Sequence, residues 1–381
     1  MTLSFVETEE QLLIIEKIKE LIPKFAEREH QLSELGSFPF ENIKNLKDIG
    51  YTTLTLPKDF GGPAISLYDF VLFQEKIAEG DGATALSIGW HLGIVKELAE
   101  NRSWDPDMFS WFCEEVKKGA LFNRAATEPK TGSPTRGGKP ETLAVRKGEK
   151  WVVSGRKSFT TMAPVLDYFI VSASIEGREE VGEFIIPRHE KGVSIEETWD
   201  SVAMRGTASH DLVLQNVEIP ERYFTDTMVP RTKPKGIGWL LHIPACYLGI
   251  AQAARNYAIE FAKTYQPNSL NHPISSLPNV RKLAGELELE LMQARTFLYQ
   301  VASKYDEVED KQSLRAELAA AKYIATNTAI SVVDKAMRIV GARSLSEKNP
   351  LHRYYLNVRA GLHNPPMDDV TLSLIADRAF E

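Results

Sequence analysis

Changes of hydrophobic period divide this chain of 381 residues into three stretches. Near the N-terminus, Ile14, Ile18, Leu21 and Phe25 recur at the spacing of one helix face. Thr8-Glu9-Glu10-Gln11 ahead of them has the form of a capping box, in which a hydroxyl and an amide satisfy free backbone donors. Further helical segments are expected over about 67–78 and, after Asp81-Gly82, over about 83–99. From Phe122 the period drops to two. Leu143 and Val145, Trp151 and Val153, and Phe169 and Val171 alternate with polar residues, and Phe184 to Ile186, Val193 to Ile195 and Leu212 to Leu214 continue the pattern. Gly148, Gly155, Gly177 and Gly192 supply turns, and the run ends near Pro220. Beyond the link Pro230 to Lys235 the helical period returns, with one stripe from Leu283 to Val301 and another from Leu318 to Ile339 that stops at Gly341. Long helices on short links suit a four-helix bundle. The expected fold class is α+β: an N-terminal helical domain (1–120), a middle antiparallel β domain (121–230) and a C-terminal four-helix bundle (231–381).

Composition excludes several partners. Hydrophobic residues make up 43% and charged residues 25%, with a formal net charge of -7 and the two signs mixed along the chain. No basic stripe offers itself to nucleic acid and no polybasic patch to a membrane. Cys113 and Cys246 sit in apolar helical surroundings and read as buried free thiols, which suits a reducing cytoplasm. No signal peptide and no metal-ligand cluster is visible. The uncharged run Gly236 to Ala254 contains Pro244, His242 and Gln252, and fits a packed helix better than a membrane span.

Chemistry concentrates between Arg124 and His210. Thr127-Glu128-Pro129, Gly132-Ser133, Phe159-Thr160-Thr161 and Met204-Arg205-Gly206-Thr207-Ala208-Ser209 fall at the ends of alternating runs. Hydroxyls, glycines and an aromatic so placed let a sheet present donors and a flat apolar surface to a large planar cofactor. Singly, each residue has an ordinary structural explanation.

Their order and spacing resemble the flavin-binding middle domain of the acyl-CoA dehydrogenase superfamily, and the order of the three domains extends the resemblance to nearly the whole chain. The resemblance implies that Thr127 and Thr161 hydrogen-bond a flavin ring, that Phe159 stands where the family has a tryptophan beside it, and that Ser133 contacts the cofactor's phosphates. Met204, Arg205, Gly206 and Thr207 would shape the substrate pocket. Val340-Gly341-Ala342 matches a turn through which Gly341 would reach the cofactor of a neighbouring subunit, implying a homo-oligomer, dimer or tetramer. The implied cofactor is FAD. The family's Arg-x-x-Phe-Gly motif for the adenosine half is absent from Tyr265 to His272, which leaves FMN open.

Two reactions stay open. The whole-chain resemblance implies α,β-dehydrogenation of an acyl-CoA thioester, a small-molecule substrate. That reaction needs a base beside the α proton. The family glutamate near the C-terminus would fall within Asn364-Pro365-Pro366, and its alternative near Trp239-Leu240; neither holds an acid. Asp368-Asp369 reads as the cap of the following helix. Arg353, Arg359 and His363-Asn364-Pro365 resemble the two-component flavin monooxygenases, such as dibenzothiophene monooxygenase, in which a separate flavin reductase supplies reduced flavin. His363 and His91 are therefore the catalytic candidates under either chemistry.

Overall fold

The computed structural model describes residues 4–31, 37–132, 138–227 and 237–381. Six helices come first: α1 (Glu9–Lys19), α2 (Ile22–Gln31), α3 (Phe40–Asp48), α4 (Leu67–Ala78), α5 (Gly82–Asn101) and α6 (Pro106–Lys117). The Thr8 capping box forms, with Gln11 N–H donating to Thr8 Oγ1 at 3.1 Å and Thr8 N–H to Gln11 Oε1 at 3.1 Å. Gln11 Nε2 also donates to Asp69 Oδ1 at 2.7 Å, tying α1 to the first turn of α4. Asp306, near the end of a later helix, accepts from the N–H groups of Leu67 and Tyr68 at 2.8 and 2.9 Å. Free donors at the start of α4 are thus satisfied by a residue far along the chain.

The middle of the chain forms β1 (Phe122–Ala125), β2 (Leu143–Lys147), β3 (Lys150–Thr160), β4 (Tyr168–Ile175), β5 (Val181–Pro187), β6 (Val193–Glu196), β7 (His210–Pro220) and β8 (Phe224–Thr227). They make one sheet in the order β6-β7-β3-β2-β4-β5-β8, with β1 beside β4. Antiparallel pairing holds for most ladders, and β4 adds two parallel ones, with β1 and β2. Alternation along a strand shows which face is buried but not the direction of its partner. Strand β8, beyond Pro220, is too short to carry a period of its own.

The remainder is helical: α7 (His242–Thr264), α8 (Pro278–Glu307), α9 (Arg315–Val340), α10 (Pro350–Arg359) and α11 (Asp368–Phe380). Helices α7, α8 and α9 form the core of a bundle; α10 and α11 close over α9, and α4 packs on α7 and α8. The stripes Leu287, Leu291, Ala294, Leu298 and Leu318, Ala321, Ala325, Val332 are buried, as their spacing requires. Gly341 ends α9 at φ +73°, a conformation in which a Cβ would be strained. Among the described residues, no helix is long and apolar enough to cross a membrane. Cys113 and Cys246 are buried free thiols, and burial pushes the Cys113 thiol up to about 12.

Candidate flavin site

Thr127 is fixed from beneath by its neighbour in sequence. The Glu128 carboxylate accepts from Lys157 Nζ at 2.6 Å, from Thr131 Oγ1 at 2.6 Å, from Thr142 Oγ1 at 2.6 Å, and from the backbone N–H groups of Glu141 and Thr142. Glu128 and Lys157 are both buried. Burial alone would raise the Glu128 carboxyl; Lys157, the two hydroxyls and the backbone donor outweigh it and hold it at about 2. The loop so pinned lies along β3, with the Thr127 carbonyl accepting from Ser158 N–H at 2.9 Å.

Beside it, hydroxyls from separate segments meet. Thr161 Oγ1 lies 3.0 Å from Ser209 Oγ, Ser209 Oγ 2.8 Å from Thr207 Oγ1, and Thr207 Oγ1 donates to the Met204 carbonyl at 2.9 Å. Asn123 Nδ2 donates to the Thr161 carbonyl at 2.9 Å, and Met162 N–H to the Thr207 carbonyl at 3.0 Å. At the edge of the cluster Phe159 is 63% exposed, its ring edge-on to Trp199 at 6.0 Å. Of the seven non-glycine residues described with positive φ, four stand here: Phe159, Met162, Met204 and Ala208. Such strain persists only where surrounding structure imposes it, and it gathers at functional sites.

The turn Met204–Thr207 is held from two sides. Its Met204 N–H donates to Asn357 Oδ1 on α10 at 2.8 Å, and Asn357 Nδ2 donates to the buried Glu29 of α2 at 2.9 Å. Trp199 Nε1 donates to the Met204 carbonyl at 3.2 Å. Asn357, Trp199 and Asn123 carry no pattern of their own in the sequence. Ser209 closes the motif around Met204, but its bridging position between Thr161 and Thr207 depends on the turn.

The structure therefore brings Thr127, Phe159, Thr161, Met204, Arg205, Gly206 and Thr207 into one neighbourhood. Ser133 lies outside the described residues. Gly341 is exposed at the end of α9, and no described contact joins it to this cluster.

The expectation that His91 is a catalytic group meets a physical obstacle. His91 is fully buried, its Nε2 3.1 Å from the Thr52 carbonyl, while its Nδ1 accepts from Phe122 N–H at 3.2 Å. Both nitrogens are committed to backbone groups, so the ring has none left for proton transfer; it joins α5 to β1. Burial holds its pKa down at about 4, against an ordinary 6.5. A folded-state value below the unfolded one means stability that is present above pH 6.5 and lost as pH falls through 4. The thermal midpoint should drop across that window, and His91→Leu, less stable at neutral pH, should drop less steeply. Parallel slopes in a melting series would contradict this.

His363 is exposed on the turn Ala360–His363 and makes no described hydrogen bond or ion pair. Next to it, Asn364 Oδ1 accepts from the buried Tyr247 hydroxyl, and Pro365 and Pro366 line a cleft with Ile237, Leu240, Leu241 and Lys322. Asp368 and Asp369 occupy the first turn of α11, and neither caps it: the N-cap is Met367, without a side-chain bond. Asp368 instead pairs with Lys322 at 3.3 Å and accepts from Asn327 Nδ2 at 3.2 Å, drawing α11 onto α9. Among the described residues no group of three or more His, Cys, Asp or Glu side chains is placed to hold a metal ion.

A flavin ring fits what these residues offer. Ser158 Oγ, Thr160 Oγ1 and Arg205 Nε are buried without a partner around Phe159 and the Met204 turn. Orphaned polar atoms beside a strained, exposed aromatic suit a flat ligand with a polar rim. The models of the acyl-CoA dehydrogenase N-terminal, middle and C-terminal domains match residues 8–101, 123–217 and 241–379. The chain belongs to the acyl-CoA dehydrogenase family and is a flavin-dependent oxidoreductase. It is 55% identical to the putative acyl-CoA dehydrogenase YdbM of Bacillus subtilis, over 99% of either chain. In structure it is similar to KijD3 in complex with FMN and a dTDP-linked amino sugar (TM-score 0.86, 19% identity, 98% of this chain and 95% of that one). It is also similar in fold to butyryl-CoA dehydrogenase from Megasphaera elsdenii (TM-score 0.83, 20% identity, 100% of both). The family's flavin is FAD, and FMN is seen in the KijD3 neighbour.

Proposed function

We propose that this chain α,β-dehydrogenates an acyl-CoA thioester with FAD seated on the Thr127–Phe159–Thr161–Ser209 surface. The observation that carries this reading is the joined hydroxyl cluster beside an exposed aromatic, in a chain 55% identical throughout to a putative acyl-CoA dehydrogenase. A bound flavin supplies an acceptor for the hydride that leaves the β carbon. The hydroxyl of Thr161 and the orphaned donor of Arg205 orient the polar rim, and Phe159 covers an apolar part of the ring. His363, exposed on the turn ahead of Pro365 and Pro366, takes the α proton onto a free ring nitrogen.

The exposed apolar residues Leu372, Ile375 and Phe380 of α11, with Leu345 in the turn after Gly341, suit contact with further copies of the chain. A homo-oligomer, dimer or tetramer, would cover them and could bring Gly341 to a neighbour's cofactor. The buried free thiols fit the cytoplasm.

The absence of a carboxylate from Asn364-Pro365-Pro366 favours one alternative: a two-component monooxygenase, fed by a flavin reductase, acting on a small sulfur- or nitrogen-containing or aromatic substrate. Steady-state assays separate the two. Dehydrogenation predicts an enoyl-CoA product with an artificial electron acceptor, from a preparation sedimenting as a multiple of the chain. Turnover only with reduced flavin and oxygen, with oxygen appearing in the product, would reverse the assignment; a single-chain mass would remove the oligomer.

A further inference from the structure

The Met204 turn is tied to a buried charge cluster, at the junction of α2, α5 and α10, that the mechanism above does not use. Asn357 makes the tie. It is buried, and both ends of its amide are engaged: Oδ1 accepts from Met204 N–H at 2.8 Å, and Nδ2 donates to Glu29 Oε1 at 2.9 Å. The bond to Glu29 fixes which end of the amide faces the turn. Met204 and Ala208, at the two ends of the turn, have φ of +52° and +39°. A backbone so strained keeps its shape only where its neighbours impose it. The same turn carries Arg205, whose Nε is buried without a partner, and Thr207, whose hydroxyl reaches Thr161 through Ser209. Asn357 therefore acts on the donors offered to a flavin rim through the backbone of Met204.

Glu29 faces a second buried carboxyl, Asp81, which caps α5. Asp81 has the richer set of donors: Ala83 N–H at 2.9 Å, Asn42 Nδ2 at 3.3 Å and the Thr84 hydroxyl. Glu29 has one described donor, Asn357. Arg353, one turn before Asn357 on α10, favours the ionised form of both carboxyls. One guanidinium facing two buried carboxyls leaves a negative charge uncompensated unless one of them holds a proton. The donors on Asp81 favour its ionised form, so the proton falls to Glu29. Burial, and then the Asp81 charge, push the Glu29 carboxyl up to about 8. The Tyr354 phenol on α10 and the Cys246 thiol on α7 face the same pair, and burial pushes both up, so they stay neutral. Arg28, next to Glu29 on α2, is turned to Asn42 and Asn45, and Glu79 is paired with Lys76.

We propose that Asn357 and Glu29 form a proton-sensitive positioning relay for the flavin seat: ionised Glu29 holds the Asn357 amide more firmly, and the amide holds the Met204 turn, with its Arg205 and Thr207 donors, in place for the cofactor. A hydrogen bond to a carboxylate is roughly twice as strong as one between neutral groups. An amide whose N–H is drawn to an anion is the better acceptor at its oxygen, because successive hydrogen bonds polarise one another. Loss of the Glu29 proton thus tightens the bond to Met204 N–H. The relay rests on the flavin seat proposed above and is independent of the reaction that the flavin serves.

Release of FAD on dilution of the flavin-loaded protein, read by its fluorescence, tests the relay without turnover. The wild type should hold FAD roughly threefold more tightly at about pH 9 than at about pH 6.5. Glu29→Gln keeps the acceptor and the shape but has no proton to lose. It should match the wild type at the lower pH and show no tightening at the higher. Asn357→Leu, which leaves Met204 N–H without its acceptor, should hold FAD on the order of tenfold more weakly at both. Melting temperature reports the fold of each variant, and Glu29→Gln carries the test if Asn357→Leu does not fold. A wild type whose hold ignores pH, or one that tightens in parallel with Glu29→Gln, overturns the relay. So does Asn357→Leu holding FAD at the wild-type strength. Thr161→Val is the control for the seat: FAD held there as in the wild type overturns the seat and the relay with it, whereas weakening there beside parallel pH behaviour removes the relay alone.

Discussion

Glu128→Ala should destabilise the fold by about 3–5 kcal/mol, the range for removing one partner of a buried ion pair. The loss has two parts. Lys157 would be left in the interior without its counter-charge, its remaining hydrogen-bond partner among the described residues being the Ser172 hydroxyl at 3.4 Å. The backbone donors of Glu141 and Thr142 and the hydroxyls of Thr131 and Thr142 would lose the carboxylate that gathers them. Because this anchor pins the loop that carries Thr127, flavin retention should fall with stability. The double variant Glu128→Leu with Lys157→Met should recover much of the stability, since a buried pair replaced by apolar residues is often neutral. The anchor also has a pH signature. Its carboxyl lies at about 2 in the fold against an ordinary 4.5. Stability from it is present above pH 4.5 and lost as pH falls toward 2. Denaturant midpoints of the single and double variants check this; a change below about 1 kcal/mol in Glu128→Ala would show that the pair anchors nothing.

His363→Ala should lower turnover by about 10²–10⁴-fold, the usual worth of a positioned proton acceptor. The side chain is exposed and makes no described contact, so flavin content, melting temperature and thioester affinity should stay near wild type. His91→Leu should behave in the opposite manner, losing stability first, because each of its nitrogens holds a backbone partner. Turnover by His363→Ala within a factor of two of wild type would remove His363 as the proton acceptor.

The contrast between the histidines shows where the sequence stops being informative. Hydrophobic period and turn residues made the helices, the strands and most of the sheet readable, because they record which face of an element is buried. The motifs at Thr127, Phe159, Thr161 and Met204 were readable because each lies at the end of a strand or turn. A histidine carries no such record. His91 is used up by the carbonyl of Thr52 and the N–H of Phe122, which are 39 and 31 residues away. His242 is buried with Nε2 unpartnered, its ring lying where a Cβ on Gly89 of another helix would clash. Asp368, likewise, fits the pattern of a cap, but Lys322 on α9 draws it into an ion pair. Parallel pairing around β4 was hidden for a similar reason: alternation does not encode the direction of a neighbour.

Anaerobic mixing of the oxidised, flavin-loaded protein with saturated acyl-CoA thioesters tests the central claim most directly. The account predicts that at least one thioester bleaches the flavin absorbance and is converted to its enoyl-CoA, and that Phe159→Ala and Thr161→Val hold flavin more weakly. Flavin that stays oxidised before every thioester, while the reduced form oxygenates a small aromatic or sulfur compound, would contradict it.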